Sequence, residues 1–188
     1  MRRLVLITAA ALAVSPVALH AQINYGSQAP ATKRAFFQAW GGMMVPLWNY
    51  NAYVDDIGWT AGGSLIFNPS PWNHIRLEGE YHYVGSSIGG GASANLYGGG
   101  IGGGRAVRQG NSMTEGFIVA GGYNVEVCRP NTTGTCDVDS GVQFGTKFGA
   151  NFVGGRGKKV MPMIGISVLA LWGSPYASLF TLTGGLRF

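Results

Sequence analysis

The sequence predicts an all-β protein: an eight-stranded antiparallel up-and-down transmembrane β-barrel, preceded by a cleaved signal peptide. Three observations predict it. The first is composition. Only 11% of residues are charged, beside 32 glycines, 5 tryptophans, 8 tyrosines and 9 phenylalanines, whereas an ordinary globular domain carries about 25% charge. The second is the lack of a spanning helix after the N-terminus. The longest apolar run, 160–172, holds Pro162 and Gly165 and falls short of the roughly 20 residues a transmembrane helix needs. The third is a succession of alternating segments separated by turn residues, each long enough to cross a tilted barrel wall of about 9–11 residues per strand.

The first 21 residues read as an export signal. "MRR" is a basic n-region, "LVLITAAALAV" an apolar h-region, and "VALHA" a cleavage region ending at Ala21. Residues 22–34 have no pattern and read as a periplasmic lead-in; the barrel is expected over 35–188. Loss of Arg2 and Arg3 brings the net charge from +5 to about +3. That is too mild for a nucleic-acid partner, and no basic cluster exceeds "RGKK" at 156–159.

The strands are expected in this order. The first is about 35–48, blurred in phase, with an irregularity at Pro46. The second is about 58–68, ended by "PSPW", where two prolines oppose continuation. The third, about 73–84, contains "IRLEGEYHYV", with Arg76, Glu78, Glu80 and His82 on one face and apolar or aromatic groups on the other. The fourth is about 95–106, "NLYGGGIGGGRA". It rests partly on the even strand count of single-chain bacterial barrels; the other reading is one glycine loop from 85 to 112. The fifth is about 113–127, with Phe117, Val119, Tyr123, Val125 and Val127 on one face. The sixth is about 141–153, where Val142, Phe144, Phe148, Ala150 and Phe152 alternate with Gln143, Gly145, Lys147, Gly149 and Asn151. The seventh is about 159–172 and the eighth about 176–188. Outer loops are expected at about 49–57, 85–94, 128–140 and 173–175.

In a barrel the apolar face meets lipid and the ionisable face looks inward. The expected interior is Arg76, Lys147 and Arg187 against Glu78, Glu80 and Glu126, with His82 beside them. The balance matters, because an unpaired charge in a narrow interior costs several kcal/mol. An eight-stranded barrel is just wide enough for its side chains to fill it, so a polar core is expected, not a pore. A soluble sandwich would put these charges in water and leave too much aromatic surface uncovered. Aromatic residues should form two belts: Trp48, Trp59, Tyr83, Tyr97, Tyr123, Trp172 and Tyr176 near the outer ends, and Phe36, Phe67, Trp72, Phe117, Phe152 and Phe188 near the inner ends.

The terminal strand "SLFTLTGGLRF", with Phe180, Leu186 and the C-terminal Phe188, resembles that of small outer-membrane β-barrels of the OmpA, OmpX and opacity-protein type. "GGSLIFNPSPWNHIRLEGEY" is similar to a hairpin of the same proteins. The resemblance covers the mature chain. It implies a bacterial outer-membrane location and an assembly signal at Phe188, Leu186 and Phe180. It also implies outer-membrane lipid and lipopolysaccharide as surroundings, and the outer-membrane assembly machinery and periplasmic chaperones as transient partners. It names no role, because one architecture serves many functions.

Cys128 and Cys136, in "CRPNTTGTC", are expected to close a disulfide in an oxidising compartment. His82 with Glu78 or Glu80 has the makings of a general base pair. The lipid A deacylase pattern of His–x–Ser is absent, however, since neither His74 nor His82 begins it, and no catalytic residue is assigned. The glycines at 98–100 and 102–104 lack the Gly-Lys-Ser/Thr ending and helical context of a phosphate loop. No metal and no cofactor is expected. Three functions compete. The first is a monomeric structural or interaction barrel with a filled polar lumen. The second is a narrow conduit or binding barrel for a small, hydrophobic solute, suggested by Met161, Met163, Leu169 and Leu171. The third, disfavoured, is a lipid-modifying enzyme.

Overall fold

A computed structural model describes residues 35–48, 57–69, 72–85, 92–130, 136–155, 158–172 and 177–188. The described residues all belong to one compact unit, Lys33–Phe188. The expected signal peptide and lead-in lie outside the described residues, as do Tyr176 and parts of all four expected outer loops.

Eight strands follow one another: β1 Ala35–Trp48, β2 Gly58–Phe67, β3 Asn73–Gly85, β4 Ser93–Gln109, β5 Ser112–Pro130, β6 Cys136–Val153, β7 Met161–Trp172 and β8 Ala177–Arg187. Each pairs antiparallel with its sequence neighbours, and β1 pairs with β8 to close the barrel. Closure removes free edges from the paired wall. The irregularity expected at Pro46 is a register shift between Pro46 and Trp48 against β8. Pro46 has no amide hydrogen to give to a ladder.

The glycine-rich segment is a strand and longer than expected. β4 pairs with β3 along Asn73–Gly85 and with β5 from Ser93 to Gln109. A tight turn joins β4 to β5, with Gly110 in the left-handed region at φ 56°, a conformation glycine adopts without steric cost. The expected outer loop at 128–140 is mostly strand as well, because β5 and β6 stay paired up to Pro130 and Cys136.

Parity is the main feature of the wall. Phe37, Leu65, Leu77, Ile101, Ile118, Phe148, Ile166 and Leu182, one from each strand in turn, stand exposed on the outer surface. In water such a surface would cost on the order of 10 kcal/mol; against hydrocarbon it costs nothing comparable. Arg76, Glu78, Glu80, Lys147 and Arg187 are buried inside.

β5 has the opposite phase to that expected. Phe117, Val119, Tyr123 and Val125 are buried, while Ile118 is exposed. The reason is volume. The register sets Phe117 beside Gly104 and Gly149, and Tyr123 beside Gly98. A Cβ on Gly149 would lie 2.4 Å from the Phe117 ring, and one on Gly145 would lie 2.8 Å from the Tyr123 ring. Glycines on the flanking strands thus make room for inward aromatics. Phe36 also turns inward, leaving Phe37 to stack on Phe188 at the outer surface. The belts therefore lose Phe36, Phe117 and Tyr123. They retain Phe67, Trp72, Phe152 and Phe188 at the short-turn end, with Trp59, Tyr97 and Trp172 at the other.

Gly149→Ala is expected to destabilise the barrel by about 1–3 kcal/mol through overpacking. Phe117→Leu, added to it, should recover part of the loss. Urea unfolding followed by tryptophan fluorescence reads both.

Candidate functional site: a charged lumen

The lumen is built by alternation. β3 contributes His74, Arg76, Glu78, Glu80 and His82 in sequence, all buried. The neighbouring inward positions of β4 are Gly102, Gly100 and Gly98, in register with Arg76, Glu78 and Glu80. Long charged side chains lie beside residues without any, so the interior admits both them and the aromatics of β5. The run "GGGIGGG" therefore acts as relief in the wall.

The charges form one alternating series. Arg187 donates to Glu115 through both terminal guanidinium nitrogens, one bond being 2.8 Å. The other carboxylate oxygen of that pair, Oε2 of Glu115, lies 3.6 Å from Arg76. Arg76 donates to Glu78 at 3.1 Å and to Oε1 of Gln38 at 3.0 Å. Lys147 donates to both Glu78 and Glu80. Glu80 accepts from the Tyr123 hydroxyl at 3.1 Å and lies 3.4 Å from Nε2 of His82. The bidentate Arg187–Glu115 pair gives directional as well as electrostatic stabilisation. Each cation also lies near an aromatic ring: Arg76 at 3.9 Å from the Phe117 centroid, Lys147 at 5.3 Å from Trp40 and Arg187 at 5.4 Å from Phe36. Contacts of this kind contribute about 0.5–2 kcal/mol each, which accounts for aromatic groups in a polar interior.

One expected member is misplaced. Glu126 sits on the outward face of β5, where it accepts from Tyr97 at 3.0 Å and from Asn124 at 3.1 Å. The reversed phase of β5 puts Glu115 in the lumen instead. Glu115 takes the place of Glu126 against Arg76, Lys147 and Arg187, and the buried Arg108 adds a fourth cation. Sequence reasoning missed Glu115, Gln38, His74 and the buried Arg108. The signal for Glu115 was available: it shares parity with Phe117, and a bulky residue flanked by glycines on both neighbouring strands belongs inside.

Apolar clusters lie on either side of the charges. Toward the long-loop end, Met44, Val84, Leu96, Tyr123, Val125, Leu169, Leu171 and Leu179 pack together. Toward the short-turn end, Val153, Met161 and Met163 pack with Phe36, Trp40 and Met113. Between them, beside Arg76, Glu78, Phe117, Lys147 and Asn151, is a cavity of about 10 Å³, room for about one water. Among the described residues no group of three or more potential ligands is placed to hold a metal.

A closed barrel with an apolar outer wall and an ionic interior has the architecture of a small outer-membrane β-barrel protein. No protein family matches the sequence, and no curated protein does. Among solved structures the chain is similar to neisserial surface protein A, with a TM-score of 0.58 at 11% identity over 84% of this chain and 98% of that one. It is also similar to Ail, the attachment invasion locus protein of Yersinia pestis (TM-score 0.48, 11% identity, 82% and 97% covered). A further likeness is to the N-terminal β-barrel domain of Pseudomonas aeruginosa OprF (0.48, 12%, 82% and 96%). At such identities the likeness is one of fold, and the first of the three carries it.

Proposed function

We propose that this chain is exported by its 1–21 signal segment and serves as a structural or interaction barrel of the outer membrane, with a filled, non-conducting lumen. The supporting observation is the unbroken series Arg187–Glu115–Arg76–Glu78–Lys147–Glu80, held between two apolar clusters. An ion crossing this interior would have to displace paired charges in a low-dielectric space, at several kcal/mol per group. Met161, Met163, Leu169 and Leu171, the motive for a conduit, are packed into those clusters. The Glu80–His82 pair is buried in the lumen, which argues against a base acting on lipid. Planar-bilayer recordings of the refolded protein are expected to lack discrete steps. Reproducible unitary steps, abolished by a bulky substitution in the lumen, would establish the conduit instead.

The assembly machinery, chaperones and lipopolysaccharide are proposed as its partners on the strength of the terminal strand, where Phe188 joins Phe37 by two backbone hydrogen bonds of 2.9 and 3.4 Å. The Cys128–Cys136 disulfide is likewise a proposal. Cys128 pairs with Val138 and Cys136 with Pro130, so the cysteines stand two registers apart on adjacent strands. Closing so short a loop contributes about 2–3 kcal/mol in the chain-entropy account. Unreduced protein is expected to resist alkylation at both cysteines and to take two alkyl groups after reduction. Labelling without reductant would refute the bridge.

A further inference from the structure

β4 puts a cation on the lipid side of the wall. Its alternation buries Ala106 and Arg108 and leaves Arg105 exposed on the outer surface. Arg105 stands in the short-turn aromatic belt. It is in register with Asn73, and the amide of the next residue, Ala106, donates to the Trp72 carbonyl at 2.8 Å. The Arg105 Nε donates to Oδ1 of Asn73 at 3.4 Å. Its two terminal nitrogens have no partner among the described residues, and no carboxylate there pairs with the group. A cation at the edge of hydrocarbon is costly unless its head reaches water or an anion.

The wall beside it is shaped. One step toward the membrane centre, the outward position of β4 is Gly103, in register with Ile75 of β3 and Ile118 of β5, both exposed. On the β5 side Arg105 faces Gly116, where an added Cβ would meet nothing within 4 Å. The result is a slot floored by Gly103, walled by two isoleucines, with a guanidinium at its mouth.

Charge outside the lumen is sorted end from end. Asp55, Asp56, Glu126, Asp137 and Asp139 all fall in the β1–β2 connection or toward the long-loop ends of β5 and β6. The segments joining strands at the short-turn end, 68–72, 110–111 and 154–160, contain no acidic residue, and the last of them carries Arg156, Lys158 and Lys159. Short turns of such barrels face the periplasm, so this end meets the inner leaflet.

We propose that the slot holds one anionic phospholipid of the inner leaflet. Its phosphodiester accepts from the two terminal nitrogens of Arg105, a bidentate geometry that suits a guanidinium. One acyl chain runs over Gly103 between Ile75 and Ile118, and Trp72 is the aromatic neighbour at the interface. Lys158 and Lys159 add a positive field, which favours a headgroup of net negative charge over a zwitterionic one. The lipid supplies the anion that the wall lacks at Arg105.

The proposal deepens the outer-membrane reading, and heat-modifiable gel mobility checks that reading separately for every variant. The refolded barrel in dodecyl maltoside is titrated with phosphatidylglycerol carrying brominated acyl chains, which quench tryptophan on contact. Wild-type protein is expected to show a saturable quench that is lost in Trp72→Phe. Its midpoint should lie roughly fivefold lower than with brominated phosphatidylcholine. Arg105→Gln should weaken phosphatidylglycerol binding roughly fivefold, and Arg105→Lys should restore most of it. Equal binding of the two lipids by wild type, Arg105→Gln protein that binds as well as wild type, or a saturable quench that survives Trp72→Phe would each overturn it. Displacement of the lipid by millimolar inorganic phosphate would do so too, by revealing a site for a free anion.

Discussion

Replacing Glu115 with leucine is expected to cost the barrel about 3–5 kcal/mol, since it leaves buried cations without their counter-charge. Arg187 is fully buried and Arg76 is 1% exposed. Glu115 is the bidentate partner of the first and lies 3.6 Å from the second. Neither guanidinium is open to bulk solvent. Glu115→Leu with Arg187→Met should recover much of the loss, because it removes a pair and not half of one. Glu126→Gln is the comparison. Glu126 lies on the outer face, bound to Tyr97 and Asn124, and its replacement is expected to change stability by no more than about 0.5 kcal/mol. Urea unfolding in detergent, read by heat-modifiable mobility, ranks the two. Equal effects would mean that the phase of β5 has been misassigned.

Lys147→Met is expected to be as damaging, by about 3–5 kcal/mol, for the opposite reason: it leaves carboxylates unpaired. Glu78 and Glu80 stand two residues apart on the same inward face of β3, and Lys147 bridges them from β6. Glu78 keeps Arg76 at 3.1 Å, and Glu80 keeps the Tyr123 hydroxyl and, at 3.4 Å, His82. Glu80 therefore loses its only lysine, and Lys147→Met with Glu80→Gln should recover more stability than Lys147→Met with Glu78→Gln. Unchanged unfolding of Lys147→Met would count against a charged interior that holds the barrel together.

Much of this molecule was legible in its sequence. The charges of β3, the alternation of β6 and the polar positions of β8 each carry their own parity, because one face is ionic and the other is not. Lys147 and Arg187 were placed inside on that basis, and the structure buries both. β4 was legible only in part, since glycine has no polarity to read; its existence followed from the strand count, and its length from pairing with β3 and β5.

β5 was not legible by the same rule. Its apolar face was assigned to lipid, yet Phe117 and Tyr123 fill the lumen and Glu126 looks out. Hydrophobicity alone cannot tell an apolar residue facing hydrocarbon from one packed among its own kind within the barrel, since both are dry. Alternation along one chain fixes which residues share a face, and that is a property of the strand. Which of the two faces turns inward depends on the space that neighbouring strands leave, here at Gly98, Gly104, Gly145 and Gly149. That space exists only once the strands are in register around a closed barrel.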